Sequence, residues 1–148
     1  MIDAAIAAKA EYYRLGLILN LIETADVIAW ADIIIEQSVT PDPAIIDISW
    51  SRSLGEIGDA IAKIADRKYC EEAGRRLLGI VKVRYLSEKI GLRDAAALAT
   101  RVVHQANMDE KIYYEIDNLC DVFEDEEHAK FVECRNEFVK LLERESLG

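Results

Sequence analysis

Both prolines of this chain fall in one six-residue segment, Ser38-Val-Thr-Pro-Asp-Pro43, and glycine is sparse on either side of it. A chain with so few breakers has little to stop helices from running, and its dominant residues (Ala, Leu, Ile, Glu and Arg) favour helix. Half the residues are apolar and about a third are charged, a globular rather than disordered balance. At 148 residues the chain is long enough to bury a core, and the reading is one domain over residues 1–148.

The periodicity predicts an all-α fold, a single compact array of about six or seven antiparallel helices with no strand. The first helix runs from Asp3 to about Leu21, with Gly16 a candidate bend. The second runs from an N-cap at Thr24 to Gln37. Its apolar residues go nearly all the way round, which predicts a helix buried in the middle of a bundle. Pro43, capped by Asp42, opens a short helix over Ala44–Ile48. Ser53-Leu-Gly-Glu56 is a capping box, followed by Leu54, Ile57, Ile61 and Ile64 on one face. A longer helix covers about Lys68–Ile90 and stops at Gly91 as a left-handed C-terminal residue. Further helices cover Arg93–Gln105, Met108–Glu124 behind a cap at Asn107, and Glu126–Glu143. The last of these turns Phe131, Cys134, Phe138, Leu141 and Leu142 inward.

Charge is distributed unevenly along this pattern. Residues 106–148 hold 13 acids and 5 bases, net −8, whereas residues 1–105 are at −2. On the Met108–Glu124 helix, Ile112, Ile116, Leu119 and Phe123 share one face. Glu110, Tyr114, Asp117, Asp121 and Glu124 share the opposite one, and Glu124-Asp-Glu-Glu127 adds four acids in succession. Asp117 and Asp121 are a like-charge pair at i,i+4, which costs an isolated helix a few tenths of a kcal/mol. A charge run of this kind is most often a solvated face. The alternative is a docking surface for a basic partner, with Glu110, Tyr114, Asp117, Asp121, Glu124, Asp125 and Glu127 as contact residues and Tyr113 or Tyr114 as anchors. The bases of residues 63–93 are interspersed with acids. They are expected to pair within the fold, some with the acidic C-terminal helices.

The stretch Val27-Ile-Ala-Trp-Ala-Asp32, followed by Ile35-Glu-Gln37, Pro41-Asp-Pro43 and Ile45-Ile-Asp-Ile-Ser49, reads as a unit. It resembles a largely uncharacterised family of small α-helical bacterial proteins with a Trp-Ala-Asp helix, a Pro loop and a short helix of the Ile-Asp-Ile-Ser kind. The likeness covers residues 12–55, about a third of the chain, and is looser through Tyr113–Asp121. Where the family has adjacent prolines, this chain has Pro41-Asp-Pro43. The resemblance implies an accessory or immunity protein that accompanies a secreted toxin, and it carries over no catalytic residue. Physically the motif is architectural first: Trp30 as a large core anchor, Asp32 on the polar side of its helix, Asp47 and Ser49 as caps or bridges.

Catalytic signatures are missing from the sequence. There is no phosphate-binding loop, no dinucleotide fingerprint and no nucleophile elbow. Two histidines and one half-motif, Asp125-Glu-Glu-His128, fall short of a carboxylate-bridged metal centre. Cys70, Cys120 and Cys134 are scattered, as expected of buried thiols in a reducing compartment. The expectation is therefore a cytoplasmic, non-enzymatic protein-binding domain without cofactor or metal. It would be an immunity protein neutralising a basic toxin domain through its acidic C-terminal surface. Nucleic acid and membrane are not expected partners. The rival reading is a structural or adaptor protein that self-associates as a homo-oligomer.

Overall fold

A computed structural model describes residues 2–123 and 128–147, and their side chains outside residues 120–130. The protein is all-α. The described residues form eight α-helices and one 3-10 turn, slightly more than the six or seven expected: α1 (Ala4–Ile18), α2 (Thr24–Gln37), α3 (Pro43–Ser49), α4 (Leu54–Ala62), the 3-10 turn (Arg67–Tyr69), α5 (Cys70–Leu86), α6 (Leu92–Gln105), α7 (Glu110–Phe123) and α8 (His128–Glu145). None is long and apolar enough to cross a membrane among the described residues. The chain divides into two compact units, residues 1–73 and 74–148, with the boundary inside the first turns of α5.

In the first unit α2 packs on α3, α3 on α4, and α4 on α1. Helices α1, α3 and α4 open on a side-chain cap. Asp3 accepts from the Ile6 N–H at 2.8 Å, Asp42 from Ala44 at 2.9 Å and Ser53 from Glu56 at 3.1 Å. Glu56 completes the box one residue early, accepting from the Arg52 N–H at 2.7 Å. Helix α2 departs from expectation: its N-cap is Glu23, whose N–H reaches Asp26 at 3.4 Å, and Thr24 is the first helical residue. Nor is α2 central. Only Val27 and Ala31 are fully buried, and Ile33 is 52% exposed.

Helix α1 runs unbroken through Gly16. A Cβ there would stand 2.3 Å from Ile22 Cδ1, so glycine is what lets the chain after α1 fold back against its last turn. That return is a Schellman turn: Leu21 N–H donates to the Gly16 carbonyl at 2.8 Å, Asn20 N–H to Leu17 at 3.2 Å, and Asn20 is left-handed at φ 57°.

The core of the first unit is aliphatic, with Leu15, Leu19, Ile45, Ile48, Ile57 and Ile61 essentially inaccessible. Leu54 instead lies 59% exposed at the start of α4, off the face that Ile57, Ile61 and Ile64 bury. Inside this core sits Glu11, fully buried. Arg14, one turn on, meets it with two bonds, Nε to Oε2 at 2.9 Å and Nη2 to Oε1 at 2.5 Å. The bond to Glu11 is the main cause of a raised Arg14 pKa, against the opposing effect of its own burial.

The second unit packs α6 on α7 and α7 on α8, and α5 meets α8 through Tyr85 on Phe138 and Arg75 on Glu145. Ile112 and Ile116 of α7 and Cys134, Phe138, Leu141 and Leu142 of α8 are buried as their spacing predicts. Phe131 is half-buried. Gly74 admits a close approach, since a Cβ there would stand 2.4 Å from Ala106 Cβ and 2.8 Å from Met108 Sδ.

Helix α5 ends four residues earlier than expected. Lys89 N–H donates to Arg84 and Glu88 N–H to Tyr85, both at 3.0 Å, so the left-handed residue is Glu88 at φ 60°. Gly91, expected in that role, is extended and serves as N-cap of α6. Asn107 also differs. It is the left-handed residue after α6, at φ 52°, and Asp109 instead caps α7 by accepting from Lys111 N–H at 3.0 Å.

Two stability measurements follow. Arg14→Met leaves the Glu11 carboxylate buried without its partner, and urea unfolding is expected to show a loss of roughly 3–5 kcal/mol, largely recovered in the Glu11→Met/Arg14→Met double variant. Glu88→Gly removes the left-handed penalty at a solvent-exposed turn and is expected to raise the unfolding free energy by about 1 kcal/mol in the same assay.

Candidate protein-docking face on α7

Glu110, Tyr114 and Asp117 follow one another at spacings of four and three along α7, so they share a face, and all three are exposed. Tyr114 is 57% exposed, high for a residue of its size. Its ring meets Tyr113 edge-on at 5.4 Å, and Tyr113 in turn rests on His104 of α6 at 4.5 Å. The half-buried Tyr113 is thus a fixed support for the exposed one. A small depression of about 160 Å³ lies beside these rings, bordered by His104, Asn107, Met108 and Glu110. The turn at Asn107 brings the end of α6 and the start of α7 together there.

Internal pairing divides the acids of this unit. Glu145 is taken by Arg75 at 3.0 Å and Arg144 at 2.9 Å, and Glu115 by Arg144 at 2.7 Å. The bonds to Glu115 and then Glu145 raise the Arg144 pKa. Glu137 lies 3.5 Å from Lys140. Pairing between α5 and an acidic C-terminal helix was expected, and Arg75 provides it. Glu110 and Asp117 have no ion pair among the described residues. The fold therefore consumes the acids on the α8 side of α7 and leaves those beside Tyr114 to solvent.

Of the other predicted contact residues, Asp121 lies on the described backbone of α7, while its side chain does not belong to the described set. Glu124, Asp125 and Glu127 lie outside the described residues, as do the side chains of Cys120 and His128. Among the described residues no three His, Cys, Asp or Glu side chains gather as a metal site would require. Cys134 is buried and Cys70 half-buried.

The motif of residues 27–49 resolves into a clasp. Ser49 Oγ of α3 donates to Asp32 Oδ1 of α2, and Ser51 Oγ donates to the Asp47 carbonyl at 2.8 Å. Trp30 is half-buried against Tyr13, with ring centres 5.0 Å apart, rather than a deep core anchor. The residue that sequence reasoning missed here is Trp50, which follows Ser49 at the end of α3 and is 77% exposed. Ile33, next to Asp32, is exposed as well, so two apolar side chains flank the clasp. The outward placement of Ile33 had no sequence signal, since it opens the apolar run Ile33–Ile35, whereas Trp50 stands between Ser49 and Ser51. Comparison with protein-family models, curated proteins and solved structures finds no match.

Proposed function

We propose that this protein is a non-enzymatic binding domain whose α7 face, Glu110–Tyr114–Asp117, receives a basic protein partner. The observation that carries the reading is the pairing of an exposed, ring-supported Tyr114 with two carboxylates that no internal cation engages among the described residues. A pre-positioned aromatic loses little side-chain entropy on binding and is a common hot spot. Carboxylates around it steer a basic partner and suppress acidic ones. Asp121, Glu124, Asp125 and Glu127 follow these acids in the sequence. The resemblance of residues 12–55 supports a finer version, in which the partner is a basic toxin domain and this chain is its cytoplasmic immunity protein.

A second reading is self-association through the first unit. It is favoured by Trp50 and Ile33, exposed apolar residues that follow Ser49 and Asp32, the two residues of the clasp, in the chain.

Affinity capture from the native cell, repeated with Glu110→Lys/Asp117→Lys and with Tyr114→Ala, separates the two. The docking reading expects a basic protein that is retained by the wild type and lost with either variant. Each variant should weaken binding at least tenfold, equivalent to about 1.4 kcal/mol, and the double reversal should flatten the salt dependence. A toxin partner should also stop growth when expressed alone and be neutralised on co-expression. Unchanged affinity and salt dependence in both variants would refute the α7 face. A salt-resistant homodimer abolished by Trp50→Ser would establish the second reading instead.

A further inference from the structure

A cleft of about 750 Å³ opens within the second unit, between the end of α5, the loop into α6 and one side of α8. That volume lies in the range of small-molecule sites, and the lining has their usual character. Leu86, Ile90 and Leu92 form one wall, and Phe131 and Val139 of α8 form the other. Against this apolar surface stand three cations, Lys89, Arg135 and Lys140, with Asn136 between them. Lys140 is near Glu137, but Lys89 and Arg135 have no ion pair among the described residues.

Tyr85 and Arg135 both line the cleft; burial raises the Tyr85 hydroxyl pKa, and the charge of Arg135 acts in the opposite direction. The Tyr85 ring is itself held edge-on against Phe138 at 5.8 Å. Glu88 is the acid on the rim, and the Schellman turn that holds it left-handed shapes the mouth. Among the described residues the cleft lining holds three cations and one acid, against a chain at −10, and Lys89 and Arg135 are the two cations without an ion pair there. The cleft attracts an anion, and its walls favour an anion that carries an apolar body.

We infer that this cleft is a binding site for a small amphipathic carboxylate. Arg135 and Lys89 would engage the carboxylate, and the Leu86–Ile90 and Phe131–Val139 walls would cover an aliphatic or aromatic body. Arg135 presents a planar fork matched to a carboxylate, and Lys89 adds a second charge from the loop. The site is separate from the α7 face and does not rest on the docking proposal.

Isothermal titration calorimetry of the full chain with octanoate, 1-octanol and acetate tests it. Octanoate is expected to bind saturably at millimolar concentrations or below, at least tenfold tighter than either the neutral alcohol or the short acid. Arg135→Gln and Lys89→Gln should each weaken octanoate about tenfold, the loss of one charge-assisted bond, with the thermal midpoint unchanged. Arg101→Gln, an exposed cation of α6 that does not line the cleft, should bind as the wild type does. Absence of octanoate binding, equal binding of 1-octanol, or wild-type affinity in both cleft variants would overturn the inference.

Discussion

A helix leaves its last carbonyls without partners, and in this protein that constraint is met three times by one device. At Asn20, Glu88 and Asn107 the chain turns left-handed, returns two N–H groups to the final turn and leaves in a new direction. The turn at Asn20 seats Ile22 on Gly16 and so closes α1 against the chain that follows. The turn at Glu88 makes the rim of the basic cleft, and the turn at Asn107 sets Glu110 and Tyr114 beside His104. Both candidate sites are therefore products of how helices stop. Helices this short gain little from propensity alone, and their ends and packed faces decide where they lie.

The division into two units changes how the charge is read. Residues 106–148 carry a large acidic excess, but in the second unit they are accompanied by residues 74–105, which hold seven bases and two acids. The unit as a whole is at −3 and the first unit at −7. The acidic excess of the C-terminal segment is thus partly answered within its own unit, through bonds such as Arg75–Glu145. What is left is local: carboxylates beside Tyr114 on one face, cations in the cleft between α5 and α8. Separating the two signs leaves one unit with an exposed acidic face on α7 and a basic recess between α5 and α8.

Much of the fold was legible in the residues. The helix class, the Asp42–Pro43 and Ser53 starts, and the burial of Ile112 and Ile116 on α7 and of Cys134, Phe138, Leu141 and Leu142 on α8 followed from caps and from 3.6-residue spacing. Leu119 and Phe131, however, are half-buried, and the Phe123 side chain lies outside the described set. Errors clustered at helix C-termini. Gly91 was the obvious left-handed residue by propensity, yet Glu88 takes that conformation because α5 ends sooner, and Asn107 ends one helix instead of starting the next. Burial of α2 was overestimated because an apolar surface all round a helix says nothing about how many neighbours it has. For the site, the α7 face could be read from spacing, since it needs one helix alone. The cleft could not, because Lys89 and Arg135 are 46 positions apart and meet only through the packing of α8 on α5.

The claim that α7 is the working surface is most directly tested by amide hydrogen exchange of the chain alone and with its captured partner. The account predicts slowed exchange on binding concentrated over Glu110–Asp117 and the Asn107 turn, with α2 and α3 unchanged. Protection confined to the segments around Ile33 and Trp50, with α7 exchanging as in the free chain, would contradict it.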